Sequence, residues 1–132
     1  MVDAVAVLND LIFSTKIVGT GRAMGIETLA VASADALDAA LADGNVRLVI
    51  VDMDANGDTA VESIRRAKAH DSAPTTLAFY SHMRTDHATS ATEAGATLAM
   101  PRSRFSAELP QLLGEYCPPI SDRPPSPPPA DS

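Results

Sequence analysis

Cysteine occurs once in this chain and tryptophan not at all, and two tyrosines and three phenylalanines are the whole aromatic complement. The lone Cys117 excludes an internal disulfide and fits a reducing compartment. With few aromatics and abundant alanine, the core is expected to be packed helices around a thin aliphatic sheet. No apolar run is long enough to span a membrane, and no basic stretch precedes an apolar one at the N-terminus. Neither a spanning helix nor a signal peptide is expected, and the expected location is cytoplasmic. Positive charge is also scarce: ten Lys and Arg face seventeen Asp and Glu, for a formal net charge of −7. That balance argues against a nucleic-acid-binding face and against attraction to anionic lipid. What is present is 132 residues, 45% hydrophobic and 20% charged, enough for one globular domain with a buried core.

The most apolar stretch is Leu48-Val49-Ile50-Val51, a run of the kind buried on both faces of a parallel sheet. It stops at Asp52-Met53-Asp54, and Asn56-Gly57-Asp58 reads as turn chemistry. Apolar runs at 4–8, 27–31, 76–80 and 97–100 supply four more strands. Helices are expected over 12–24, from a cap at Ser33 to a stop at Gly44, and over 59–70, 85–93 and 106–116. Gly25 suits a helix C-terminal position that needs positive φ, and Gly95 ends a later helix. Gly19 and Gly21 lower the propensity of the first helix. Pro110 is expected in the first turn of the last helix, where a missing N–H costs little. Five strands alternating with helices imply right-handed crossovers and an α/β, doubly wound parallel sheet with helices on both faces. From Pro118 the composition changes: seven of the ten prolines fall in 118–132. The expected division is therefore a domain over 1–117 and a disordered, Pro-rich tail over 118–132, a linker or a docking peptide.

Ligands of open α/β sheets bind beyond the carboxyl ends of the strands, near the reversal of strand order. The residues expected there are Asn9 and Asp10, Asp52 with Asp54, Ser81 with His82, and Arg102. Carboxylates gathered at one edge repel unless a divalent cation lies among them, and Mg²⁺ favours such oxygen ligands plus waters. Asp10, Asp52 and Asp54 are the candidate metal ligands. A carboxylate beside a metal, a hydroxyl and a cation can accept a phosphoryl group. The plainer use of the Asp52 to Asp58 stretch is to cap the next helix and keep a loop hydrated.

In this order and spacing the residues resemble the receiver domain of two-component response regulators, across 4–116. Asn9-Asp10 falls at that family's acidic pair, Asp52 at its phospho-accepting aspartate, and Ser81 at its switch Thr/Ser. Ala94-Gly95-Ala96 is similar to the turn before the fifth strand, and ungapped counting from Gly95 puts Arg102 at the family's lysine. The resemblance implies a five-stranded flavodoxin-like sheet of order 2-1-3-4-5, weak Mg²⁺ binding, and a protein partner, either a histidine kinase or an output protein, with a homodimer also open. It implies no enzyme. The departures are many. Asn9 replaces one acid, Arg102 replaces a compact ammonium, and Ala99 stands at the switch aromatic. His82 crowds the pocket, and Ala55-Asn56 replaces Met-Pro. Pro101 precedes Arg102 rather than following it, so aligning on the proline would put Met100 in its place. Together they describe an atypical receiver working through protein contacts, with Asp52 as its candidate phospho-acceptor.

Asp52-Met53-Asp54 with Thr59, and a later strand ending in Ser81, also resemble the first motifs of haloacid-dehalogenase-type phosphatases. This alternative is an enzyme using Asp52 and Asp54 on a small phosphoester. Such enzymes need a later lysine and acidic pair, whereas Lys16 and Lys68 both precede Ser81. Gly19-Thr20-Gly21 lies within a helix and not in a strand-to-helix turn, so dinucleotide binding is dismissed. His70, His82 and His87 share no metal-ligand spacing, and His70 and His87 are read as solvated surface residues.

Overall fold

The five apolar runs do become strands. The computed structural model describes residues 2–42, 45–54, 57–81 and 83–117. Its elements alternate as β1 (Ala4–Val7), α1 (Leu11–Ala23), β2 (Thr28–Val31), α2 (Ala34–Leu41) and β3 (Leu48–Asp52), then α3 (Gly57–Ala69), β4 (Thr75–Tyr80), α4 (Thr85–Ala94), β5 (Leu98–Pro101) and α5 (Arg102–Tyr116). The strands form one sheet in the order β2-β1-β3-β4-β5, and every pairing is parallel. Strand order reverses between β1 and β3, so the crevice expected in such sheets opens beyond their carboxyl ends. Gly44, Ala55-Asn56, His82 and the tail over 118–132 lie outside the described residues.

The period-two alternation of strand side chains divides the core in two. Val5, Val7, Val49 and Val51 point to one face with Leu37, Leu41 and Ile64, so α2 and α3 cover it, with Ala91 and Ala94 of α4 beside them. Ala4, Ala6, Leu48 and Ile50 point to the other, against Ile17 of α1 and Phe105, Leu109, Leu112 and Leu113 of α5. Cys117, just past α5, is buried there too, and its thiol donates to the Asp3 carbonyl at 3.6 Å. That contact sets the two ends of the folded domain side by side.

Two helix starts differ from the sequence reading by two residues or more. Gly57 and Asp58, read as turn, already belong to α3, where an acidic side chain in the first turn complements the helix dipole. Helix α5 begins at Arg102, four residues before the expected 106, which leaves Pro110 in its interior. Proline there forfeits the bond to the Ser106 carbonyl and normally costs about 3 kcal/mol. Packing overrides it: Phe105, Leu109, Leu112 and Leu113 are all buried, while Pro110 is on the solvent side. A carbonyl freed on that side can turn to water.

The end of α1 shows why its glycines are there. The Ile26 N–H donates to the Gly21 carbonyl at 2.8 Å and the Gly25 N–H to that of Arg22 at 3.1 Å, with Gly25 at φ +77. This is the paired-bond ending that a left-handed residue allows. Gly21 itself is buried, and a Cβ there would run into Thr28 Oγ1 and stand 3.0 Å from the Ile26 carbonyl oxygen. Gly19 is exposed and meets nothing within 4 Å. The two alanine substitutions should therefore move stability in opposite directions. Gly21→Ala is expected to lose about 1–3 kcal/mol by overpacking, and Gly19→Ala to gain about 0.5–1 kcal/mol of helix propensity. Denaturant midpoints of the two variants check the pair.

Candidate functional site

Three acidic side chains reach the crevice by different local routes. Asp10 is the N-cap of α1, with extended backbone, and its Oδ1 accepts the Phe13 N–H at 3.0 Å. Asp52 is the last residue of β3, in register with Phe79 of β4, and is only 3% exposed. Its Oδ1 accepts the Asp54 N–H at 2.9 Å, a tight local turn that aspartate favours. Asp54 faces the next loop. Its Oδ2 accepts the Ser81 N–H at 2.6 Å, and its Oδ1 lies 2.9 Å from His87 Nδ1. The Asp54 carboxylate thus ties the end of β3 to the end of β4 and to the first turn of α4.

Arg102 completes the cluster. As the first residue of α5 it turns back over the strand ends, and its Nη2 donates to Asp52 Oδ1 at 3.3 Å and Oδ2 at 3.2 Å. The same guanidinium is 3.7 Å from Asp10 Oδ2 and 3.7 Å from Asp54 Oδ2. Its central carbon lies 5.1 Å from the ring centre of Phe13 and 5.2 Å from that of Phe79, within reach for cation–π attraction. Phe79 in turn stacks on Phe105 at 4.6 Å, and Phe13 meets both. Phe13 and Phe79 form the floor under this cation, and Phe105 backs them.

Of the expected site residues, the structure brings Asp10, Asp52, Asp54, Ser81 and Arg102 to one edge, and His82 lies outside the described residues. Ser81 contributes its backbone to Asp54, and with Phe13, Arg102, Ser103 and Ser106 it lines an open cavity of about 330 Å³. Met100, the alternative to Arg102, is 2% exposed and packs in the core with Phe79 and Phe105. His87 corrects the sequence reading: it is not a solvated surface residue but a partner of Asp54, with its side chain 14% exposed. Its carboxylate is 33 residues away in sequence, and nothing local announces it. Phe13 was missed for the same reason, since its role depends on β4 and α5 lying across from α1. His70 sits at the far end of α3 beside Ser72, whose hydroxyl is 2.8 Å from its Nδ1.

Asp10, Asp52 and Asp54 surround one point, but as arranged they do not fit Mg²⁺. The guanidinium occupies the point they share. Magnesium asks for about six oxygens in near-octahedral array at roughly 2.0–2.1 Å, whereas one oxygen of Asp10 and both of Asp54 are already committed to N–H donors or to His87. Between Asn9, Thr59 and Asp52 there is a cavity of only about 10 Å³, room for about one water. Among the described residues no group of three His, Cys, Asp or Glu is placed to hold a metal.

The chain matches no protein-family model and no curated protein. Its fold does match solved structures. The receiver domain of NtrX from Brucella abortus superposes with a TM-score of 0.73 at 20% identity, covering 87% of this chain and 98% of that one. The chemotaxis protein CheY4 of Vibrio cholerae gives 0.73 at 17% identity, covering 88% and 98%. A longer NtrX chain in complex with ATP gives 0.72 at 20% identity over 89% of this chain. The present chain spans only 27% of that protein's length. The likeness is one of fold: a five-stranded 2-1-3-4-5 sheet with five helices is the response-regulator receiver architecture expected from the strand-end residues.

Burial raises the Asp52 carboxyl above its ordinary value of 3.8; the Asp54 N–H and the Arg102 charge oppose this, and the Asp54 charge adds to it. A group whose folded value is raised contributes most stability below its unfolded value and loses it as pH rises through the folded value. Wild type should therefore be strongest relative to Asp52→Asn in acid, and the variant should gain on it as pH rises toward neutrality. Denaturant midpoints of both proteins between about pH 3.5 and 7 test this. A wild-type advantage that grows toward pH 7 would mean that the Arg102 pairing outweighs burial.

Proposed function

We propose that this chain is a regulatory module of receiver type that works by contact with a protein partner, a histidine kinase or an output protein, and not by turnover. One observation carries the reading: Asp10, Asp52, Ser81 and Arg102 meet at the strand-order reversal of a receiver-ordered sheet. Asp52 is the candidate phospho-acceptor in this reading, and Ser81 and Arg102 are the groups that would meet a phosphoryl group. Exposed apolar side chains flank the same edge: Leu11 and Ile12 next to Asp10, 80% and 85% exposed, and Met83 beyond β4, 76% exposed. Apolar surface left in water around a site favours a protein contact there. No described helix is long and apolar enough to cross a membrane.

The phosphatase alternative finds less support. Lys16 reaches Ser106 on α5, Lys68 lies against Gly95 at the far end of α3, and Asp86 is paired with Arg84 at 3.1 Å. None of them stands ready beside Asp52 as a second catalytic set.

Two measurements separate these readings. Hydrolysis of p-nitrophenyl phosphate should not rise above that of the buffer, and turnover lost in Asp52→Asn would favour the enzyme. Amide exchange over α4 and β5 should be nearly the same in wild type and Asp52→Asn, with or without a small phosphoryl donor. Ala99 offers no ring to swing when the site changes, so the coupling is expected below about 1 kcal/mol. Clear donor-dependent protection of those elements in wild type alone would make this an ordinary phospho-switched module.

A further inference from the structure

The strand-end cluster holds three carboxylates and one permanent cation, and the cation's position is unusual. The Arg102 guanidinium lies within 3.7 Å of an oxygen from each of Asp10, Asp52 and Asp54. A divalent ion serving those three carboxylates would have to stand where the guanidinium does. We propose that Arg102 is the resident cation of this cluster, an internal replacement for a divalent metal ion that keeps the wild-type site closed to Mg²⁺ and Mn²⁺. The inference concerns the site of the proposed function but rests on the geometry of the cluster alone.

Four features hold the guanidinium in that role. Both Asp52 oxygens accept from its Nη2. Phe13 and Phe79 lie under it, and a planar, weakly hydrated guanidinium tolerates an aromatic floor that a hydrated Mg²⁺ would not. Three other carboxylate oxygens are already bound, by the Phe13 N–H, the Ser81 N–H and His87. Asn9 brings no charge and borders, with Asp52, a space of about 10 Å³. Arginine stays protonated throughout the accessible pH range. The charge that a soluble ion would bring and remove is here covalently part of α5.

Titration of the full chain with MgCl₂ alone and with MnCl₂ alone, at matched ionic strength, tests the proposal by calorimetry and thermal unfolding. Wild type should show no saturable binding and no shift in Tm up to roughly 10 mM ion, where only affinities weaker than millimolar escape detection. Arg102→Met keeps an apolar stem over the phenylalanines and removes the charge. It should bind Mn²⁺ at least tenfold more tightly than wild type, a difference of about 1.4 kcal/mol. Adding Asp52→Asn to Arg102→Met should abolish that gain. Saturable binding by wild type as tight as by the variant, or no gain in a folded variant, would overturn the proposal. If Arg102→Met does not fold, NMR of wild type decides: the Arg102 side-chain N–H and the Asp52 and Asp54 amides should stay unmoved by Mg²⁺, and a saturable shift would refute the assignment. Neither readout involves a partner or a phosphoryl group, so failure here leaves the regulatory reading standing, and success does not establish it.

Discussion

A carboxylate at the end of a strand buried on both faces has to find countercharge or stay protonated. In this protein the pairing of Asp52 with Arg102 meets that need, and much of the architecture around the site follows from it. Helix α5 has to start immediately after β5 for Arg102 to reach back over the strand ends. Phe13 of α1 and Phe79 of β4 have to come together under the guanidinium, with Phe105 of α5 behind them. Burial still keeps the Asp52 carboxyl above its ordinary value, so the pair moderates the cost of an interior charge and does not cancel it.

Asp54 is the second organising group. It accepts from the backbone of the β4 end and faces His87 of α4, while sharing the guanidinium with Asp52. Movement of the β4–α4 connection is therefore tied to the same charge cluster as movement of α5. With Ala99 on β5, no ring stands ready to turn a change in the charge of this cluster into a second packing of those helices.

Much of this was legible in the residues. The β-branched run at Leu48 to Val51, the spacing of the other apolar runs and the glycines at helix ends depend on local physics, and they led to the alternating elements and the sheet edge, whereas the strand order was implied by the resemblance to receiver domains. Arg102, and not Met100, stands at the crevice because β5 extends to Pro101, so that Met100 points into the core. The misreadings share a cause. Pro110 looked like a first-turn residue because local propensity opposes it elsewhere, whereas four buried side chains of α5 decide the matter. His87 looked solvated and Phe13 unremarkable because their partners, Asp54 and Arg102, are far away in sequence. Local rules do not see such contacts.

The thiol of Cys117 resting on the Asp3 carbonyl has a consequence for how such a domain can be joined to others. Both ends of the fold emerge at the amino-terminal edge of the sheet, on the opposite side from Arg102 and its carboxylates. A polypeptide attached at either end starts its path away from the charged crevice, and two attachments start next to each other. The fold can thus be hung from a larger assembly by a single point of suspension while its acidic edge stays turned outward.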